Sequence, residues 1–241
     1  MAGTISLPVP PERLAANLQR VRGQLAAAAR RAGREPERVT LVAVTKYVGP
    51  EEVRELVRLG VTELGENRIQ PALSKIAALR AQLPGARWRM IGHLQTNKVR
   101  AALRDFGALD SVDSLHLLEC LAREARGLGR IAVPCLAEIN VGGEEQKYGL
   151  APGDLRDFLR RAGETPECDF RGLMCMAPYA ADQPAVSRPI FRKLRELRDE
   201  ANANGWYRRP LVELSMGMTG DFECAIEEGA TLVRIGSALY Q

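Results

Sequence analysis

The chain switches repeatedly between two hydrophobic periods, and this alternation constrains its fold more than any other feature. Short apolar or β-branched runs occur at Thr40 to Thr45, Val61 to Gly65, Trp88 to Gly92, Leu109 to Val112, Val133 to Asn140, Phe170 to Met176, Leu211 to Ser215 and Leu232 to Ile235. Amphipathic helical stretches separate them: Glu51 to Leu59, Pro71 to Leu83, Lys98 to Phe106, Leu115 to Leu128, Asp154 to Arg161, Val186 to Ala203 and Asp221 to Glu228. Strand, helix, strand in succession predicts a parallel sheet, because parallel neighbours need a crossover long enough to hold a helix. Eight such units in 241 residues fit an α/β, single-domain (β/α)8 TIM barrel over residues 1–241, with 1–11 as an N-terminal arm. An open doubly wound sheet fits less well, since no Gly-x-Gly-x-x-Gly turn follows the first strand. The sequence stops at Gln241, straight after the eighth strand, so no outer helix is expected there. The amphipathic segment Arg13 to Ala32 is expected to cover that gap, and the Pro- and Ala-rich Ala177 to Pro189 to form a long sixth loop.

Composition removes several classes of function. No apolar run approaches the roughly 18 residues of a membrane span. The start shows no basic-then-apolar signal peptide, so a cytoplasmic protein is expected. Cys120, Cys135, Cys168, Cys175 and Cys224 fall in no Cys-x-x-Cys arrangement and read as reduced core thiols. With His93 and His116 as the two histidines, a histidine-rich metal site is not expected. The net charge of +4 is modest, and arginine alternates with glutamate, as in Arg192 to Glu200, in the manner of solvated helix faces. No stripe of basic and aromatic residues accompanies it, so nucleic acid is not an expected partner. The basic residues are nearly all arginine, with only Lys46, Lys75, Lys98, Lys147 and Lys193 as lysines. Where surface charge is written as Arg, a Lys beside an apolar run asks for a reason, and one exists: its amine can lose a proton and become a nucleophile.

In such barrels the active face lies at the carboxyl ends of the strands. Strand one ends in Thr45-Lys46, with Lys46 in step with Val42 and Val44. An amine on that face is costly unless paired or partly neutral, and desolvation would suit it to Schiff-base chemistry. It could equally reach solvent from the strand end or pair with a carboxylate. Ser215-Met216-Gly217-Met218-Thr219-Gly220-Asp221 and Gly236-Ser237 supply small-residue turns after strands seven and eight, the usual phosphate cup of a barrel. The same residues could simply make turns, with Thr219 or Asp221 capping a helix. Arg234 interrupts a strand that should be buried on both sides, so its guanidinium needs an acceptor, and an ion pair with Glu138 or Glu213 is one solution. His93, at a strand end, reads as a hydrogen-bonded structural residue at least as readily as an acid-base group.

Several motifs occur in order: Ala43-Val44-Thr45-Lys46, Gly65-Glu66-Asn67, Ile91-Gly92-His93-Leu94-Gln95-Thr96-Asn97-Lys98, Gly172-Leu173-Met174, Ser215-Met216-Gly217-Met218 and Val233-Arg234-Ile235-Gly236. This set closely resembles the YggS/PROSC family, the pyridoxal phosphate homeostasis proteins, whose barrel is similar to the alanine racemase N-terminal domain (fold type III of pyridoxal phosphate proteins). The match runs from about Arg13 to Leu239. The resemblance implies that Lys46 holds pyridoxal 5′-phosphate as a Schiff base. It also implies that Ser215, Gly217, Thr219, Gly236 and Ser237 hold the phosphate, that Arg234 faces the pyridine nitrogen, and that Asn67 lies near the ring. Lys147, in Glu144-Glu145-Gln146-Lys147-Tyr148-Gly149, matches a loop lysine of the family associated with cofactor transfer. The chain departs from the family pattern at Arg68, where an aromatic residue is common, and at Ser237, where Thr is frequent.

The function so implied is that of a cofactor carrier supporting intracellular supply of pyridoxal phosphate, with pyridoxal-dependent apo-enzymes as candidate recipients and a monomer as the expected state. An Arg opposite the ring nitrogen keeps it unprotonated and weakens the electron sink that amino-acid chemistry would use, so efficient turnover is not expected. The racemase resemblance also involves a catalytic Tyr from a second domain, which a lone barrel would not supply. The alternatives are a pyridoxal-dependent racemase or decarboxylase, and a cofactor-free Schiff-base aldolase or isomerase acting on a sugar phosphate.

Overall fold

The computed structural model describes residues 9–144, 146–178 and 184–241. Eight parallel strands close in chain order into a barrel. They are β1 (Thr40–Val44), β2 (Glu63–Glu66), β3 (Arg87–Met90), β4 (Ala108–Val112), β5 (Val133–Glu138), β6 (Cys168–Met174), β7 (Glu213–Ser215) and β8 (Leu232–Ile235). Closure is carried by β1, where Val42 pairs with Glu63 of β2 on one side and Arg234 of β8 on the other. The outer layer comprises α1 (Pro11–Arg31), α2 (Pro50–Arg58), α3 (Ile69–Leu79), α4 (Val99–Asp105), α5 (Leu115–Gly127), α6 (Leu155–Gly163), α7 (Pro184–Ala203), α8 (Phe222–Glu227) and α9 (Ser237–Tyr240).

Local chemistry accounts for the helices. Proline at the first position of α1 forgoes an N–H that would be unpaired anyway, and Glu12 at its start and Arg30 and Arg31 at its end complement the helix dipole. Its buried residues Leu14, Leu18, Val21, Leu25 and Ala28 recur every three or four positions, forming one apolar stripe. Each fully buried leucine of that stripe contributes roughly 1.5–3 kcal/mol. α5 is capped by Ser114, whose hydroxyl accepts the Leu117 N–H. At α2, Glu52 reaches back to accept the Gly49 N–H at 3.0 Å.

α1 lies where the sequence placed it, across the seam between the last and first strands. Arg34, just past α1, donates to the Ile226 carbonyl of α8 at 2.7 Å, and Asn17 donates to the carbonyls of Leu239 and Gln241. The expectation of no helix after strand eight is corrected: the one-turn α9 fits between β8 and α1. The sixth loop is shorter than expected too, because α7 begins at Pro184 and carries Pro189 inside it. Ser187 donates to Asp221, and Arg188 pairs with Glu227 and Glu228, so tertiary contacts hold a first stretch that propensity alone disfavours. The part of that expected loop at residues 179–183, and residues 1–8 of the expected arm, lie outside the described residues. All five cysteines are buried.

The barrel interior is not uniformly apolar. Arg89 of β3 holds Asp110 of β4 through two bonds of 2.8 Å, Glu63 of β2 at 3.1 Å and Glu213 of β7 at 3.4 Å. Burial alone would lower the Arg89 pKa, but the carboxylates outweigh it and raise it, so the hub stays charged. Between β6 and β7 the backbones approach so closely at Gly172 that a Cβ there would lie 1.8 Å from the Glu213 carbonyl oxygen.

Candidate cofactor site

At the carboxyl end of the barrel, the turns after β1, β7 and β8 enclose a cavity of about 590 Å³. Its lining includes Lys46, Thr219, Arg234, Gly236 and Ser237. Five of the residues singled out from sequence thus share one space of ligand size.

Lys46 is exposed, so of the two readings of this amine the one that reaches solvent from the strand end holds. The strand ends at Val44 and the chain turns, with the Val48 N–H donating to the Thr45 carbonyl, so strand alternation stops before it reaches Lys46. Its Nζ lies 4.9 Å from the centre of the Tyr47 ring. The residue before it is firmly held. The Thr45 hydroxyl donates to Glu66 at 2.7 Å, while Lys75 of α3 donates both to Glu66 at 2.7 Å and to the Thr45 carbonyl at 2.6 Å. An exposed amine therefore stands on an anchored backbone. No motif in the sequence marks this anchor, although the rarity of lysine singles out Lys75 as much as Lys46.

Arg234 forms the cavity floor. It is 3% exposed, donates through Nη1 to the Ser215 hydroxyl at 2.7 Å and through Nη2 to the Cys175 carbonyl at 2.8 Å, and burial lowers its pKa. The ion pair weighed from sequence is not formed: Glu213 belongs to the Arg89 hub, and Glu138 makes no salt bridge among the described residues. Ser215 is fully buried and turned to Arg234 rather than lining the cavity.

Gly217 does not line the cavity either, but shapes it. Its φ is +91°, and a Cβ would meet Ala225 Cβ at 2.5 Å and Phe222 Cα at 2.9 Å, so only glycine turns the chain tightly enough against α8. The turn is closed by Asp221, which accepts the Met218 N–H at 2.7 Å, and Thr219 accepts the Ala238 N–H at 3.5 Å, joining the two turns. Glu52 and Tyr240 also line the cavity and had no signal in the sequence pattern. The Tyr240 hydroxyl is buried without a hydrogen-bond partner among the described residues, and burial raises its pKa.

Other predicted residues lie elsewhere on the same face. Asn67, half-buried after β2, packs its backbone against Gly92, where a Cβ would fall 2.5 Å from the Asn67 carbonyl oxygen. The His93 ring bonds to Asp113 at 2.9 Å and stacks on Tyr148 with centroids 3.6 Å apart, in keeping with the structural reading. Lys147 pairs with Glu144 in a loop tied by Asn140, whose side chain donates to the Glu144 carbonyl at 2.8 Å; Glu145 of that motif lies outside the described residues.

A closed parallel barrel with a lysine after its first strand and linked small-residue turns after its seventh and eighth defines a class, the alanine racemase N-terminal barrel. The family model for the alanine racemase N-terminal domain matches residues 15–241. A pyridoxal phosphate homeostasis protein of Aquifex aeolicus (strain VF5) is 42% identical over 223 residues, covering 92% of this chain and 95% of the relative. PipY of Synechococcus elongatus PCC7942, solved with pyridoxal phosphate bound, superposes with a TM-score of 0.82 at 34% identity over 95% of this chain and 100% of that one. An alanine racemase of Clostridium difficile 630 shares the fold alone, with a TM-score of 0.74 at 15% identity over 98% of this chain and 59% of the racemase. The chain belongs to the pyridoxal phosphate homeostasis protein family, built on the alanine racemase N-terminal domain.

Proposed function

We propose that this protein binds pyridoxal 5′-phosphate covalently on Lys46 and serves its supply inside the cell as a carrier rather than a catalyst. The observation that carries the reading is the single cavity that Lys46 shares with the β7 and β8 turns and with Arg234. The donor set fits the group: an exposed amine for an aldehyde, the hydroxyls of Thr219 and Ser237 on linked turns for a phosphate, and a buried guanidinium for a ring acceptor. When bound, the cofactor supplies an aldehyde that condenses with an amine and a ring that can withdraw electrons. This chain's residues then bind and orient. The Thr45–Glu66–Lys75 anchor fixes where the lysine starts, and Arg234 presents a cation that favours an unprotonated ring nitrogen, which weakens electron withdrawal. Asn67 would serve at the edge of the site, with Ser215 and Gly217 acting behind it, one by holding Arg234 and the other by shaping the turn. The reading extends to a cytoplasmic monomer that passes its cargo to pyridoxal-dependent apo-enzymes.

Borohydride reduction of protein mixed with pyridoxal 5′-phosphate, followed by peptide mass spectrometry, is expected to place the phosphopyridoxyl mass on Lys46. Lys46→Ala is expected to lose both the label and the yellow colour. Protein that stays colourless with added cofactor, or carries the label on another lysine, contradicts the assignment. Amino-acid racemisation or decarboxylation at enzymatic rates, abolished in Lys46→Ala, would instead establish the catalytic alternative.

A further inference from the structure

Glu138, the last residue of β5, is 2% exposed, and its Oε2 is buried with no hydrogen-bond partner among the described residues. Val133, Cys135 and Ala137 on the same strand pack into the core beneath the helices, which turns Leu136 and Glu138 to the barrel interior. Arg234 faces that interior from β8, equally buried, and spends its two recorded side-chain bonds on neutral acceptors. A buried acid and a buried base thus occupy one interior without pairing. Each is costly as it stands: an unpaired buried carboxyl forfeits its hydration, and a buried guanidinium without a carboxylate has lost its counter-charge. That cost persists only if something is gained by keeping Arg234 uncommitted, and Arg234 is the floor of the cavity that also holds Lys46.

We propose that Glu138 is a positioning residue for the cofactor: as a neutral acid it leaves the Arg234 charge to the bound ligand, and once ionised it competes with that ligand for the guanidinium. The inference rests on the proposed binding of pyridoxal phosphate and adds a control to it. Asp113, which follows β4 and carries His93 on its carboxylate, and Arg234 are the charges that act on Glu138; Cys175 after β6, which Glu138 and Lys147 of the loop after β5 both influence, is held as a neutral thiol by burial; and Asp110 and Asp221 act on Arg234 from β4 and the β7 turn. Burial and Asp113 raise the Glu138 pKa and Arg234 opposes them, leaving it at about 7. Glu138 is therefore neutral at mildly acidic pH and ionised at mildly alkaline pH.

The test compares the intact wild-type protein with Glu138→Gln and Glu138→Leu by titrating pyridoxal 5′-phosphate between pH 6 and 8.5 and reading the bound-cofactor absorbance. The cofactor's own ionisation is common to all three proteins, so the ratio of affinities isolates Glu138. If the competent state is the neutral acid, the wild type should match Glu138→Gln near pH 6 and bind about tenfold more weakly near pH 8, since the neutral fraction has then dropped to about a tenth. Glu138→Leu should follow Glu138→Gln, and in an Arg234→Gln background the Glu138→Gln change should make no further difference. Parallel pH profiles for wild type and Glu138→Gln overturn the proposal, as does binding lost in Glu138→Leu but kept in Glu138→Gln, which would mean direct contact with the ligand. A wild type that takes up no cofactor at any pH defeats the underlying assignment instead.

Discussion

Single side chains in this site are placed by what they touch, and this is where sequence reasoning was weakest. Arg234 could be marked as needing an acceptor because a cation inside a strand buried on both sides is conspicuous. Its acceptors, the Ser215 hydroxyl at the end of β7 and the Cys175 carbonyl just past β6, could not be read, since barrel closure brings both in from distant parts of the chain. Lys46 was found by the same reasoning but with its burial left open between two readings, because strand alternation carries no information about the residue where the strand stops. Glu138 offers a direct check at this scale. Its pKa of about 7 in the folded protein lies above the ordinary value of 4.5, so the native state holds more protons than the unfolded one as pH rises through that window. The stability that Glu138 contributes must then fall from about pH 4.5 to 7 and level off above. Glu138→Gln does not titrate, so its stability relative to the wild type, measured by urea unfolding without cofactor, should grow across that window by an amount on the order of 2–3 kcal/mol. A difference that stays constant from pH 4.5 to 7 would show that Glu138 ionises normally in the folded protein.

Elements were far more legible than their ends. All eight strands and the helices between them were readable because period two and period 3.6 are written along the chain itself. The differences fall at boundaries: β5 and β6 end earlier than their apolar runs, α7 starts before its proline, and α9 was not expected. The start of α7 and the turn of α9 are held by neighbouring elements, through Ser187 and Arg188 in one case and Asn17 in the other. The turn between β7 and α8 shows the reverse, a local requirement strong enough to read. Gly217→Ala would place a methyl 2.5 Å from Ala225 Cβ on a backbone at φ +91°. A residue forced into that conformation costs about 1–3 kcal/mol before the clash is relieved. The turn also lends the Gly217 carbonyl to the Arg234 N–H at 3.0 Å. Thermal unfolding of Gly217→Ala is therefore expected at a lower temperature, together with weaker cofactor uptake; unchanged values for both would mean that the turn can open without consequence.

The whole molecule divides its interior polar groups into two sets with opposite logic. Arg89 is surrounded by the carboxylates of Glu63, Asp110 and Glu213, drawn from three other strands, and every one of its recorded bonds is to an acid. Among the described residues Arg234 has none, and it stands at the cavity. One arginine is committed to the barrel and the other is kept available, and the two can be separated by experiment. Arg89→Met keeps most of the side-chain volume but removes the cation that Glu63, Asp110 and Glu213 share, with Glu63 keeping Arg87 at 3.0 Å, and removing one partner from a buried ion-pair network typically costs about 3–5 kcal/mol. The variant is expected to unfold at markedly lower urea concentration, with the loss partly recovered in Arg89→Met/Asp110→Asn, because neutralising the most deeply buried acid relieves the repulsion. Molecules that remain folded should still carry cofactor on Lys46 at full stoichiometry, since no residue of the hub lines the cavity. Stability unchanged in Arg89→Met would show the hub to be dispensable, and cofactor lost from protein that is still folded would show that the hub and the cavity are coupled.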